Sequence, residues 1–158
     1  MKKQVKTNAA RLLDRDKIAY ELIPYDVDED DLSAQHVAAS LGEDINQVFK
    51  TLVLKGDKTG YFVCVVPGEE EVNLKLAAKV SGNKSCDLIP MKELLPTTGY
   101  IRGGCSPIGM KKLFPTFIHE SCATQPYIFV SAGIRGLQIK IKPEDLISEA
   151  KAKVCALY

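Results

Sequence analysis

Chemistry in this chain must come from lysines, glycine-rich loops, hydroxyls, thiols and only two histidines. Lys50 stands between Phe49 and Thr51 at the start of an otherwise apolar run, FKTLVL. Two readings are open for it: an edge-strand lysine turned to water, or a cation at the mouth of a pocket. The stretch GYIRGGCSPIGMKK, residues 99–112, is rich in glycine. Gly104 and Gly109 have the spacing of a phosphate-binding P-loop, which should continue with Lys and Ser or Thr. Met110 and Lys111 stand there instead, so neither the ammonium nor the hydroxyl is in place. Cys105 as a nucleophile would need a neighbouring base. His36 falls on an expected helix and His119 inside an expected strand, so both read as structural. Ser106 lacks the G-x-S-x-G context of a hydrolase elbow. What remains is backbone. Gly103 and Gly104, with Ser106, Pro107 and Gly109, form either a rigid wall of N–H donors or a plain turn, and both readings stay open. VSAGIRG, residues 130–136, repeats the theme: Ser131 ends a strand, Gly133 loosens the turn, and Arg135 is a phosphate contact or a solvated turn residue.

The elements that would position these groups follow from periodicity and caps. Helices are expected after Thr7, after Ser33 up to Gly42, after Asn73 up to Gly82, briefly at residues 90–95, and over residues 143–154 with Pro143 at the first position. Strands are expected at residues 19–25, 49–56, 61–68 and 86–89, within TFIHES and YIFVS, and over LQIKI. The loop DKTG makes a hairpin of the second and third strands. Hairpins occur as well as helix crossovers, so a mixed sheet in an α/β domain is expected rather than a doubly wound parallel one. There is no internal repeat, linker or low-complexity tract.

Composition narrows the classes. The chain has 158 residues, 46% hydrophobic and 26% charged, the profile of one soluble globular domain. No apolar run approaches the roughly 20 residues of a membrane span, and the basic N-terminus lacks an apolar leader core. The five cysteines are odd in number and the two nearest are 17 positions apart, against a disulfide framework or a CxxC zinc site. A reducing, cytoplasmic setting is expected. With 21 basic and 20 acidic side chains, the chain lacks the overall basic bias of an autonomous nucleic-acid binder.

Three motifs in order, FKTLVL, GYIRGGCSPIGMKK and YIFVSAGIRGLQI, resemble the YbaK/EbsC family and the related editing insertion of bacterial prolyl-tRNA synthetases. The match runs from about residue 7 to residue 148. The resemblance implies a single editing domain over residues 1–158, a compact α/β fold with a curved, largely antiparallel, barrel-like mixed sheet wrapped by helices. It implies trans-editing: removal of cysteine from mischarged tRNA(Pro), with Cys-tRNA(Cys) as a further candidate substrate, the substrate's own thiol attacking its ester. It carries an essential lysine onto Lys50 with Thr51 beside it, a pocket tyrosine onto Tyr25, a glycine wall onto Gly103 and Gly104 completed by Ser106, Pro107 and Gly109, and a pocket serine onto Ser131. Gly133 and Arg135 belong to the late motif. The chain departs from the family pattern at Gln138, where many members carry an acid, and at Cys105, where an aliphatic residue is usual. No metal or other cofactor is implied. The 3′ aminoacyl end of tRNA is the implied partner, with delivery by prolyl-tRNA synthetase. Lys2, Lys3, Lys6, Arg102, Lys111 and Lys112 are candidates for a basic rim. Rival readings are a deacylase for alanine or serine, a non-catalytic tRNA-end-binding module, and a redox enzyme using Cys105.

Overall fold

The computed structural model describes residues 6–158. Local caps set the helix starts. The Thr7 hydroxyl accepts from Ala10 N at 3.3 Å and opens α1, Asn8–Arg15. Ser33 and Asn73 do the same for α2, Ala34–Leu41, and α3, Leu74–Ser81. Gly42 and Gly82 end these two helices with φ of 70° and 83°, a left-handed step that a side chain would resist. Ile18 lies beyond the end of α1, its N–H bonded to Leu13 O at 3.0 Å.

The strands are β1, Glu21–Pro24; β2, Phe49–Gly56; β3, Gly60–Pro67; β4, Cys86–Leu88; β5, Thr116–His119; β6, Ile128–Ser131; β7, Leu137–Ile141; and β8, Lys153–Cys155. A short 3₁₀ turn, Ile45–Gln47, leads into β2, and a second, Glu120–Thr124, separates β5 from β6. The strands form a three-stranded antiparallel sheet, β1-β7-β6, and a five-stranded mixed sheet, β4-β2-β3-β5-β8. The β2–β3 hairpin pairs in full register from Phe49 with Pro67 to Gly56 with Gly60. Among the described residues the two sheets meet at a single parallel bridge, Val48 with Phe129, and do not close into a barrel.

Two elements differ from expectation. The helix at residue 90 is longer: α4 spans Met91–Thr98 and carries Pro96 inside it. The Thr98 hydroxyl donates to Leu94 O at 2.7 Å, and Gly99, at φ 86°, closes the last turn. The final helix is shorter: α5, Pro143–Ala150, stops where Lys151 turns left-handed at φ 51°. Lys153, Val154 and Cys155 then pair in parallel with β5. A three-residue strand is too short for alternation to show.

The main core lies between the sheets, where Val53, Val63 and Val65 meet Val130, Ile139 and Ile141. A second cluster packs α3 against Leu54, Phe62 and Cys64. A third, with Val37, Ala38, Val48 and Phe129, seats α2 over the junction of the sheets.

Candidate active site at the seam of the two sheets

Side chains alternate across a strand, and cross-strand partners share a face. In the β6–β7 ladder Ser131 is opposite Gln138, and in β1–β7 Gln138 is opposite Ile23. The parallel bridge from Val48 to Phe129 carries the row onto β2. Two residues further along each strand stand Lys50 and Ser131. Gln138, Ser131 and Lys50 therefore form one polar row across the seam, on the face that carries Val48 and Phe129 in the cluster under α2. Neighbouring strands lie ~4.8 Å apart, so the row spans about 10 Å. All three residues line one cavity of about 590 Å³.

The cavity runs along the edge of β2, which β4 pairs only from Leu54 onward. Leu88, Ile89, Met91 and Leu94 supply apolar lining, and Arg102, Gly103 and Cys105 line the cavity from the glycine-rich stretch. Glu69 and Glu71 stand on the rim. Burial pushes the Lys50 ammonium below its ordinary value, and the carboxylates of Glu71 and Glu70 oppose that shift. The Ser131 hydroxyl accepts from Gly133 N at 3.1 Å, which leaves its proton free to donate into the cavity. Gln138 is 5% exposed, and among the described residues no group donates to its Oε1. Such an orphaned acceptor costs about 1–3 kcal/mol if nothing fills it. Thr51 also lines the cavity, from the face of β2 opposite Lys50, and its Oγ1 is likewise without a partner among the described residues.

The glycine-rich stretch divides into parts with different duties. Gly103 lines the cavity at φ 83°, and among the described residues nothing accepts its N–H. Gly104, expected to be its partner donor, is not: its N–H bonds to Ile101 O at 2.9 Å. A Cβ there would meet the Ile134 and Arg135 backbone at 3.2 Å, so Gly104 lets two loops touch. Ser106 is fully buried, and its Oγ accepts from Ile108 N at 3.2 Å, a turn rather than a substrate contact. Pro107 and Gly109 face away from the cavity, toward a smaller one between the loop and the ends of α1 and α5. Tyr100 lies beneath: its hydroxyl donates to Ile108 O at 2.6 Å, and a Cβ on Gly133 would strike its ring at 2.9 Å.

Three further expectations change. Tyr25 does not line the cavity; it packs with Val37 and Ala38 in the cluster under α2. Arg135 is not poised for phosphate. Its Nε donates to Arg102 O at 2.8 Å and its Nη1 pairs with Glu29 at 2.6 Å, so it clamps the glycine wall to the acidic loop. Of the proposed basic rim, Arg102 alone among the described lysines and arginines of that set lines the cavity. Lys6 pairs with Asp14, Lys111 donates to Pro96 O, Lys112 lines the smaller cavity, and Lys2 and Lys3 lie outside the described residues.

Among the described residues no activated nucleophile lines the cavity. Burial pushes the Cys105 thiol up to about 12, so it stays protonated. His36 Nε2 sits 3.0 Å from Asp26 O, and His119 accepts from Ser121 N and stacks on Tyr158 with centroids 3.8 Å apart. What the cavity offers is positioning and electrostatics: a cation, a hydroxyl, a free backbone N–H and a buried acceptor. That set suits a substrate already activated for acyl transfer.

Gln138 was not singled out as a site residue by its own motif. LQIKI signals a strand and its two faces, yet what covers the second face depends on pairings with residues far away in sequence.

Known proteins give the same direction. The sequence pattern of the aminoacyl-tRNA editing domain matches residues 28–148. The chain is 51% identical over 147 residues to a protein of Enterococcus faecalis described as a proposed Cys-tRNA(Pro)/Cys-tRNA(Cys) deacylase, EbsC, covering 93% of this chain and 90% of that one. It is 33% identical over 79 residues to the proline–tRNA ligase of Fervidobacterium nodosum, covering 50% of this chain and 14% of the ligase. In fold it is similar to a solved structure described as a proposed trans-editing enzyme for prolyl-tRNA synthetase, with a TM-score of 0.80, 21% identity, and coverage of 96% and 97% of the two chains.

Proposed function

Because the chain belongs to the aminoacyl-tRNA editing domain family, we propose that it is a trans-editing deacylase that frees tRNA(Pro) from wrongly attached cysteine. The observation that carries this reading is the site itself. Lys50, Ser131 and the Gly103 N–H converge on one cavity that holds no nucleophile paired with a base. An aminoacyl ester needs little more than such a site. Its carbonyl carbon is already electrophilic, and the barrier falls when donors meet the oxygen on which charge develops.

In this reading the ester carbonyl takes the Gly103 N–H and the Ser131 hydroxyl, and Lys50 supports the 3′-terminal nucleotide. The thiol of the bound cysteine supplies the nucleophile. A sulfur–carbon bond forms at the ester carbonyl, the carbon–oxygen bond to the ribose breaks, and the thiol proton passes to the departing ribose oxygen. The products are uncharged tRNA and a strained cyclic thioester of cysteine, which water opens in solution. No redox change occurs and no covalent enzyme intermediate is needed. The protonated Cys105 and a lining that, among the described residues, includes no histidine support this economy.

The cavity reads the amino acid and the terminal nucleotide. Apolar walls separate small side chains by only about 1–3 kcal/mol, and a net charge of +1 gives little grip on a polyanion. Selection of the tRNA therefore falls to a partner, and prolyl-tRNA synthetase is the one this reading names. The test is loss of radiolabelled cysteine from Cys-tRNA(Pro) at micromolar protein, with and without the synthetase. Release well above the spontaneous rate supports the reading, and release at the spontaneous rate in both conditions ends it.

A further inference from the structure

The geometry points to Gln138 as the residue that reads the α-ammonium of the amino acid, making the site selective for substrates with a free amine. This rests on the deacylase reading for the identity of the ligand, and on the polar row for its placement.

Each member of the row offers something different. Lys50 is a cation and has only protons to give. Ser131 has a lone pair engaged by Gly133 N–H, so its useful face is also a donor. Both suit the ester carbonyl and the nucleotide, and both are wrong partners for an ammonium. Gln138 lines the same cavity, and its Oε1 is the acceptor of the row: fully buried, and given no hydrogen bond by any described residue. Ser131 is its cross-strand partner, so a carbonyl held at Ser131 has its α-carbon substituents within reach of Gln138. Gln138 lies at the end of the row away from Lys50, the end an added cation would favour. An aminoacyl ester entering the cavity must strip water from its ammonium, the strongest donor it carries, and needs a buried acceptor in return. The thiol is a weak donor and a poor match for the same oxygen.

A site built to hydrogen-bond a substrate N–H rejects the analogue that lacks it more sharply than an apolar pocket rejects a missing methylene. The test uses stable amides of 3′-amino-3′-deoxyadenosine carrying cysteinyl, alanyl or 3-mercaptopropionyl groups, the last having the thiol without the amine. Calorimetry is run on the parent, Gln138→Leu and Gln138→Glu, alongside turnover of Cys-tRNA(Pro). In the parent the cysteinyl amide should bind more tightly than the mercaptopropionyl amide. Gln138→Leu should weaken the cysteinyl and alanyl amides about 10- to 100-fold, the worth of one hydrogen bond to a charged group, and leave the mercaptopropionyl amide within about 2-fold. Gln138→Glu keeps an acceptor and should retain the preference for the amine.

Equal weakening of all three amides by Gln138→Leu would overturn the assignment in favour of a packing role, and no weakening of any would overturn it outright. Turnover without amine preference sinks this inference and leaves the deacylase reading standing. Amine preference without turnover does the reverse. A parent protein that binds none of the amides overturns the inference as well.

Discussion

Ser131 and Gln138 stand directly opposite each other in the β6–β7 ladder, and the Val48–Phe129 bridge brings Lys50 level with them on the neighbouring sheet. The site is thus assembled by strand register across a seam. A one-residue slip in any of the three strands would turn a polar side chain out of the row.

Lys50→Met should lower kcat/KM for Cys-tRNA(Pro) by about 10²- to 10³-fold, the scale of losing one aimed electrostatic group. Thermal unfolding should be unchanged or slightly raised, because burial disfavours the charged Lys50 and the methionine stem fills the same space. Loss of activity together with a large drop in melting temperature would assign Lys50 a structural role.

Two adjacent glycines should respond differently. Gly104→Ala places a Cβ 3.2 Å from the Ile134 and Arg135 backbone, so it should cost both stability and activity by parting the two loops. Gly103→Ala meets only the side chains of Arg135 and Leu32, at 3.3 Å, but must hold φ near 83°. It should cost about 1 kcal/mol in stability and proportionally more in kcat, because the free N–H is re-aimed. Chemical denaturation paired with single-turnover kinetics separates the two outcomes.

The helix caps and the β2–β3 hairpin were legible because their signals are local: Ser33, Asn73 and the glycines that follow each helix lie within one turn of what they cap. The Lys50 position and the Ser131 strand end could be marked for the same reason. The use of each glycine could not. The Gly104 N–H is consumed by Ile101 three residues away, and Arg135 pairs with Glu29, 106 positions distant. Likewise, Gln138 gains its meaning from Ser131, and Ser131 from a bridge between two sheets. Such pairings leave no periodic trace in one segment. Tyr25 shows the converse: a residue carried over by family likeness whose side chain this fold packs under α2.

Cys105→Ala should keep deacylation within about 3-fold of the parent, since a thiol held protonated at about 12 is a poor nucleophile. Sensitivity of the parent, but not of the variant, to a thiol-alkylating reagent would revive a redox or covalent role.

Activity should fall on the alkaline side at a pH below that of an ordinary lysine, because the ammonium is needed and burial lowers its pKa. The sign is fixed: the charged form is present below the folded pKa and lost above it. Glu71→Gln removes a carboxylate that favours the charged form, so the alkaline limb should move lower still. Binding of the alanyl amide to the parent and to Lys50→Met, compared from pH 7 to 10.5, separates this limb from titration of the ligand's own amine, without ester loss in base.

The most direct measurement is the deacylation rate of Cys-tRNA(Pro), Ser-tRNA(Pro) and Ala-tRNA(Pro) under single turnover with the same protein preparation. Serine differs from cysteine by one atom, so the comparison holds size nearly constant and removes the thiol. The account predicts rapid release of cysteine and at least about 10²-fold slower release of serine and alanine. Equal rates for cysteine and serine would contradict it, placing the nucleophile in water or the protein and not in the substrate.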